Sequence, residues 1–272
     1  MTFWSHLFTR RSSVNNPQDV YTLIARLIGI AVMFQSLEFI KMKDSISEKG
    51  IWRWNELRSE YLFLPKRMLA FLDWIMPEKR FMEMMTIRFY TAILAIIYPY
   101  FFVIFFILFF TTFLITLRWR GSFNGGSDYL TLIILLCLCI GYFSPLLTKA
   151  ALWYITLQVI SSYFLAGLYK VKEYKWRLGT AVYGFISSPN YKTPRFILEK
   201  SKDPAWAKTI AWSVILFELS FPLVLATPVL TKAYLIAGVL FHLGNFLVFG
   251  LNRFFWVWSA SYPALYYCSL KT

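Results

Sequence analysis

Charged residues are scarce in this sequence, and their scarcity excludes most soluble folds. Only 15% of the 272 residues are charged, whereas 58% are hydrophobic and 20% are aromatic. Soluble domains are typically about 25% charged and roughly half apolar, so we expect much of this chain to contact lipid. Residues 1–20 also lack an apolar stretch and a small-residue cleavage site, so we predict no cleavable signal peptide.

Cysteine and histidine are also scarce, which excludes two common kinds of site. The chain has three cysteines and two histidines. Cys137 and Cys139 lie in one apolar run and Cys268 in another, so their spacing fits neither a disulfide framework nor a zinc motif. We therefore predict no metal site.

Acidic residues are half as numerous as basic ones, 14 against 28, which gives a net charge of +14. In a soluble protein this excess would indicate nucleic-acid binding. In a membrane protein, basic residues concentrate in the loops, because they set the orientation and contact anionic headgroups. We therefore expect the lipid bilayer as a partner, and no nucleic acid.

Six apolar runs are long enough to cross a membrane, which requires roughly 20 mostly apolar residues. They are residues 20–40, 89–117, 128–147, 151–170, 209–226 and 229–251. The second run is long for one crossing, so it must tilt, kink near Pro99 or protrude. Residues 254–270, rich in Trp and Tyr, are either a short seventh span or an interfacial tail. The sequence thus predicts an all-α polytopic membrane protein, one domain over residues 1–272 with six or seven transmembrane helices.

Two longer polar connections separate these runs. Residues 41–86 include YLFLPKRMLAFLDWIM, whose paired basic residues predict an amphipathic element on the membrane surface. Residues 171–208 form a second basic loop with turn and helix-cap signals. Three crossings separate the two loops, so the positive-inside rule cannot place both on one side. Either one basic loop is translocated, or an element assigned to the surface enters the membrane.

Four ionisable residues fall within the apolar runs, where each costs at least about 2.5–3.5 kcal/mol and indicates a specific role. They are Arg26, Lys170, Glu218 and His242. Glu218 is the deepest. We expect first an interhelical tie to Arg26, to Lys170 or to a hydroxyl on another helix, and second a catalytic or proton-relay role.

Lys170 and His242 each fit two alternative roles. Lys170 ends a span in YFLAGLYKVKEYKW, residues 163–176, where a lysine usually extends to the headgroups. Gly167 on the same face allows a helix or ligand to approach closely, however, and a desolvated amine can act as a base. His242 belongs to a polar stripe at helical spacing and serves as a hydrogen-bonding tie or as a catalyst. The other members of the stripe are Gly238, Asn245 and Asn252.

Four segments in order resemble the HTTM family, a transmembrane module shared by vitamin K-dependent gamma-carboxylase and by bacterial proteins such as the SdpB group. They are residues 123–145, 157–183, 217–225 and 238–257. The resemblance covers most of residues 15–265 and implies a bundle of transmembrane helices with a polar interior. The carboxylase segment YF-x-AG-x-x-K, followed by W-x-x-G, matches Tyr163 to Gly179. Lys170 thus aligns with the lysine taken as the base that activates vitamin K hydroquinone.

The resemblance implies a set of site residues. Lys170, His242 and Glu218 are predicted to be catalytic. Tyr163, Gly167, Trp176 and Asn245 are predicted to contact a cofactor, for which a quinone of the vitamin K type is the candidate.

The layout of the chain is similar to the SdpB-like group, since no segment corresponds to the large lumenal portion of the carboxylase. For such a protein the resemblance implies a role in the maturation or export of a secreted peptide, with a small partner protein, in a bacterial inner membrane. One alternative is a membrane-embedded enzyme with a lipid-soluble cofactor and a carboxylase-like or oxidoreductase-like activity. The other is a non-catalytic scaffold subunit.

Overall fold

A computed structural model describes residues 15–119, 126–191 and 193–272, and within these ranges it contains helices and turns but no β-strand. The region used to predict the absence of a signal peptide begins outside the described residues, as does the motif at 123–145. The helices are α1 (Pro17–Lys41), α2 (Lys43–Ile46), α3 (Trp54–Leu57), α4 (Lys66–Ile75), α5 (Glu78–Ile97), α6 (Phe102–Arg118), α7 (Ser127–Gly141), α8 (Pro145–Lys172), α9 (Tyr174–Leu178), α10 (Thr180–Ile186), α11 (Arg195–Ser201), α12 (Pro204–Ser220), α13 (Pro228–Phe249) and α14 (Asn252–Ser269), with 3-10 turns at Arg58–Tyr61 and Phe221–Leu225.

Within the described ranges, four helices are long and apolar enough to cross a membrane: α1, α8, α12 with its 3-10 extension to Leu225, and α13. Helices α6 and α7 are apolar but shorter. The prediction of an all-helical membrane protein is confirmed at this level. The number of six or seven crossings stays a prediction.

The four long helices begin in the same way, with a capping side chain followed by proline. The cap accepts a hydrogen bond from a backbone N–H of the first turn, which would otherwise lack a partner. Proline fits the first helical position, because its missing N–H is not needed there. The pairs are Asn16-Pro17, Ser144-Pro145, Asp203-Pro204 and Thr227-Pro228. The cap at Ser144 moves the predicted boundary between the third and fourth runs from residues 148–150 to residues 142–144.

The predicted single span at 89–117 is wrong, because the chain turns at Pro99. Helix α5 ends at Ile97 and α6 begins at Phe102, and proline cannot supply the N–H that a continuous helix needs. Arg88 Nη2 donates to Thr112 Oγ1 at 3.1 Å across this turn, 24 residues along the chain, so the two helices lie antiparallel. Since α5 begins at Glu78, residues 78–86 belong to it and not to the predicted surface element.

The hairpin bears on the conflict between the two basic loops. Four helices, α5 to α8, separate the loop at 42–77 from the loop at 173–203, and the first of them includes residues 78–86 of the predicted surface element. If all four helices cross the membrane, their even number would place both loops on the same side. The side of each loop stays a prediction.

Helix α14 occupies the middle of the bundle and contacts α1, α7, α8 and α13. Its small residues allow this, since they let neighbouring backbones approach closely. Ala260, Ser261 and Ala264 are fully buried. The interfacial-tail alternative for residues 254–270 is therefore wrong, and the aromatic side chains of this helix are largely internal.

The segment 42–77 packs on the ends of α5 and α6 as a second apolar cluster. Arg118 of α6 connects this segment to the bundle, because its buried guanidinium donates to the carbonyl oxygen of Ile46 at 2.8 Å and to that of Met76. Within this segment α4 buries only Leu72. Met68, Phe71 and Trp74 of α4 are exposed, which fits the predicted amphipathic helix on the membrane surface.

A buried polar network at the same end of the bundle was not expected from the sequence. Arg88 is fully buried and donates to Gln35 Oε1 at 2.5 Å, and Gln35 in turn donates to Asp128 at 2.8 Å. Arg253 donates to Glu38 at 2.8 Å beside this chain. Asn252 also bonds Glu38 and begins α14, so its predicted place on the polar stripe of α13 is wrong.

Candidate membrane-embedded site

A cavity of about 970 Å³ lies between α7, α8, α12 and α13, covered at one end by the segment from α9 to α11. Helix α13 packs on α14 and on the Phe221–Leu225 turn, so its other side is free to form the cavity wall. The volume is at the upper end of the range for small-molecule sites, about 300–1,000 Å³. The wall is mostly aromatic and aliphatic, with polar groups at a few positions. Those from α8, α12 and α13 are Gln158, Ser162, Lys170, Ser213, Glu218, His242 and Asn245.

Lys170 and Glu218 form an ion pair on the cavity wall. Lys170 Nζ donates to Glu218 Oε1 at 2.8 Å and to Oε2 at 2.7 Å, and the Glu218 side chain is only 5% exposed. Because both carboxylate oxygens contact this amine, Lys170 is the cation that the buried carboxylate requires. The alternative partner Arg26 is wrong, since it is exposed on α1.

Trp176 lies beside the same amine. Its ring centroid is 5.2 Å from Lys170 Nζ, within the range for attraction between a cation and an aromatic ring. Trp176 follows α8 in the short helix α9 and also lines the cavity. The lysine amine is therefore held from two sides, by a carboxylate from α12 and by the indole.

Gly167 has a structural position behind this pair. A Cβ atom there would lie 2.8 Å from the Leu219 nitrogen and 2.9 Å from Glu218 Cβ. Only glycine allows α12 to pack this closely on α8. Gly167 is not among the residues that line the cavity. The structure places it in the helix contact that brings Glu218 to Lys170, and not at a cofactor surface.

His242 is held by two tyrosines. Its Nε2 lies 2.7 Å from Tyr163 Oη, which lies 2.8 Å from Tyr262 Oη. The imidazole stacks on Trp258 with ring centroids 5.0 Å apart. His242 is 3% exposed, and its Nδ1 has no hydrogen-bond partner within the described part of the chain.

Six of the seven predicted site residues line this one cavity. They are Lys170, Glu218, His242, Tyr163, Trp176 and Asn245. Their chemical roles stay predictions. Sequence reasoning missed Tyr262 and Trp258, because the aromatic residues of α14 resembled a headgroup belt. The available signal was the small-residue spacing of Ala260 and Ala264, which indicates a closely packed internal helix.

The arrangement combines an apolar space with a few proton-exchanging groups. An amine and a carboxylate share one side, and an imidazole linked to two phenols lies on α13 and its neighbours. Aromatic walls of this kind suit a flat or chain-like lipid-soluble molecule, and the polar groups suit a few oxygen atoms on it.

Fold and site together define the class: a membrane protein, helical in its described regions, with a few polar side chains on the wall of a largely apolar cavity. Residues 145–269, from α8 to α14, match the family model of the HTTM domain, and over these residues the predicted resemblance is confirmed. All the polar residues of the cavity named above lie in this part.

One similar protein is the sporulation-delaying protein SdpB of Bacillus subtilis (strain 168). The two are 30% identical over 103 residues, which is 35% of this chain and 32% of that protein. The chain thus spans about a third of the relative's length in this match. No solved structure matches the chain.

Proposed function

We propose that the protein acts in the maturation or export of a secreted peptide at a bacterial inner membrane, and that it does so through the cavity described above. The observation that carries the proposal is that Lys170, Glu218 and His242 surround one ligand-sized space within the HTTM domain. The likeness to a bacterial sporulation-delaying protein supports this setting. The secreted peptide and a small partner protein are the expected partners.

A second candidate function is that of a membrane-embedded enzyme with a lipid-soluble cofactor of the quinone type. The geometry of the ion pair favours it. A proton that moves from Lys170 Nζ to Glu218 Oε2, across 2.7 Å, leaves a neutral amine on the cavity wall. Such an amine can accept a proton from a bound molecule, as a general base does. The aromatic wall would hold the ring of that molecule.

The cavity also weighs against a purely scaffolding role. Polar groups that only tie helices together need contact each other and nothing else. Here Lys170, Glu218 and His242 all line one cavity. Burying such groups is costly, so a site that keeps them beside an apolar cavity is more consistent with binding or chemistry than with a tie alone.

The first experiment tests the peptide role in the host organism. The gene is deleted, and mature secreted peptides in the medium are measured by mass spectrometry. The deletion strain is complemented with wild type, with Lys170→Ala and with Lys172→Ala, and the membrane level of each protein is measured by immunoblot. Lys172 is exposed on the same helix and serves as the matched control. We expect wild type and Lys172→Ala to restore a missing peptide, and Lys170→Ala to fail.

Two results would overturn the proposal. An unchanged set of secreted peptides in the deletion strain would remove the peptide role. Full restoration by Lys170→Ala at the wild-type protein level would remove the site from that role.

The cofactor candidate has a separate test. Purified protein is extracted with organic solvent, and the extract is compared with those of Gly244→Phe and Gly184→Phe. A Cβ atom at either glycine meets nothing within 4 Å, but of the two only Gly244 lines the cavity. We expect a ring-containing lipid in the extracts of wild type and Gly184→Phe that is depleted from Gly244→Phe. Equal extracts from all three proteins would contradict a cofactor in this cavity.

A further inference from the structure

Tyr262, Tyr163 and His242 form a chain of hydrogen bonds that runs from α14 through α8 to α13. The oxygens of the two tyrosines are 2.8 Å apart, and Tyr163 Oη lies 2.7 Å from His242 Nε2. All three side chains are at most 5% exposed. The Tyr262 hydroxyl occupies the space above Gly238, where a larger residue would displace it. This chain of hydrogen bonds is therefore fixed by the packing of three helices.

The protons of this chain can be arranged in two ways. In the first, Tyr262 donates to Tyr163, Tyr163 donates to His242 Nε2, and the imidazole carries its own proton on Nδ1. In the second, Nε2–H donates to Tyr163, Tyr163 donates to Tyr262, and Tyr262 has nothing to donate to among the described residues. Both make two hydrogen bonds.

The two arrangements differ in what they leave unpaired. The first leaves one buried donor, the Nδ1–H of His242. The second leaves a buried donor, the Tyr262 hydroxyl, and also a buried acceptor, His242 Nδ1. A buried polar group without a partner costs free energy, so the arrangement with fewer of them is favoured. The hydrogen-bond chain thus selects the Nδ1–H form of the imidazole.

We propose that Tyr262 and Tyr163 are positioning residues that fix His242 as a hydrogen-bond donor through Nδ1 to the ligand of the cavity. The matching ligand is a lipid-soluble molecule that presents an acceptor oxygen, such as a carbonyl or ether, beside His242. His242 lines the cavity, and its buried Nδ1 is the polar atom of the ring that has no protein partner among the described residues; the contact of Nδ1 with a ligand belongs to the inference. The ligand part of this inference rests on the proposed function, in which the cavity is a working site.

Nitrogen NMR of labelled histidine measures the proton position directly. The chain has two histidines, so ¹⁵N-histidine protein carrying His6→Gln reports His242 alone. We expect, in lipid nanodiscs at neutral pH, a protonated Nδ1 and an unprotonated Nε2. The Nδ1–H form is the minor form of neutral histidine in water. Its presence would therefore show that the hydrogen bonds, and not the intrinsic preference of the imidazole, set the proton position. A protonated Nε2, with or without a proton on Nδ1, overturns the proposal.

Variants of the tyrosines test the cause. Tyr163→Phe keeps the ring, which stacks on Phe221 at 3.9 Å, but removes the hydroxyl that donates to Nε2. We expect this variant to shift the imidazole toward the Nε2–H form. Tyr267→Phe is the matched control, because Tyr267 is also buried on α14 but is not one of the three residues joined by these hydrogen bonds. An unchanged spectrum of Tyr163→Phe overturns the role of the tyrosines.

A pair of probes tests the ligand class. Benzophenone and diphenylmethane have the same two rings, but only benzophenone has a carbonyl oxygen. We expect benzophenone to shift the Nδ1 resonance of His242 and diphenylmethane to leave it in place. The same response to both, or to neither, overturns the acceptor-oxygen inference. These measurements need no peptide, so a strain whose peptides do not depend on the protein would overturn the proposed function and leave the proton position standing.

Discussion

Replacement of Gly167 by alanine perturbs the contact that brings the two charged residues of the cavity together. Helix α12 crosses α8 at this glycine, one turn before Lys170 on the same helix. The added methyl group would meet backbone and the Cβ of Glu218, and neither is the far end of a flexible side chain. The helices therefore have to separate, and Glu218 has to move with α12.

The structure sets the size of this effect. The new Cβ would lie 2.8 Å from the Leu219 nitrogen where ordinary contact begins at 3.4 Å, so α12 must retreat by about 0.6 Å. Overpacking of this kind costs about 1–3 kcal/mol. In the other direction, alanine stabilises the interior of a helix by about 1 kcal/mol relative to glycine. Gly244→Ala, in open space on α13, carries the same helix gain without the clash. The difference between the two variants therefore isolates the steric cost.

The assay is reversible unfolding in mixed micelles with an increasing fraction of sodium dodecyl sulfate, followed by tryptophan fluorescence. We expect the free energy of unfolding of Gly167→Ala to be about 1–3 kcal/mol lower than that of Gly244→Ala. Equal stability of the two variants would refute the reasoning, because it would mean that α8 and α12 do not cross at Gly167 as closely as the structure describes.

Two further predictions concern charged pairs, one inside the bundle and one outside it. Lys170→Met leaves the Glu218 carboxylate buried without its cation. We therefore expect the free energy of unfolding in the same assay to fall by about 3–5 kcal/mol. The double variant Lys170→Met/Glu218→Met should recover most of this loss. A double variant no more stable than the single one would contradict the pairing. In the segment 42–77, the hydrogen bond from Arg58 holds the pKa of Asp73 below its usual value. The stability from this pair is complete above about pH 3.9 and is lost as the pH falls through the depressed pKa. The resistance of the segment to pepsin should fall as the pH falls through the depressed pKa of Asp73. In Asp73→Asn the resistance that the pair adds should be absent at every pH. A wild-type resistance that does not depend on pH would contradict the prediction.

The membrane class and the site residues could be read from the sequence because both depend on residue type. A chain this poor in charge requires lipid as its main solvent, and an ionisable residue in an apolar run indicates a specific role. Lys170, Glu218 and His242 were identified in this way, and the structure brings them to one cavity. The ordered motifs pointed to the HTTM domain, which the family match over residues 145–269 confirms.

The errors arose where a local pattern has more than one three-dimensional outcome. The run at 89–117 is apolar throughout, and hydropathy does not distinguish one long span from a hairpin that turns at Pro99. Arg88 stands between the predicted polar connection at 41–86 and that run, and no role was predicted for it. It is buried because Gln35 and Thr112, distant in sequence, supply hydrogen-bond acceptors inside the bundle.

By itself, the sequence determined the solvent of this protein and the chemical groups available to the site, because both depend on residue type. The cap residues and prolines that begin the four long helices also act locally, but the predicted starts missed them by one to six residues. Only the tertiary structure decided which of these groups meet. Lys170 and Glu218 are 48 residues apart, and Tyr163 and Tyr262 are 99 apart. Their contacts depend on how α8, α12, α13 and α14 pack, and that packing rests on small residues such as Gly167 and Gly238, whose effect appears only when a second helix is in place.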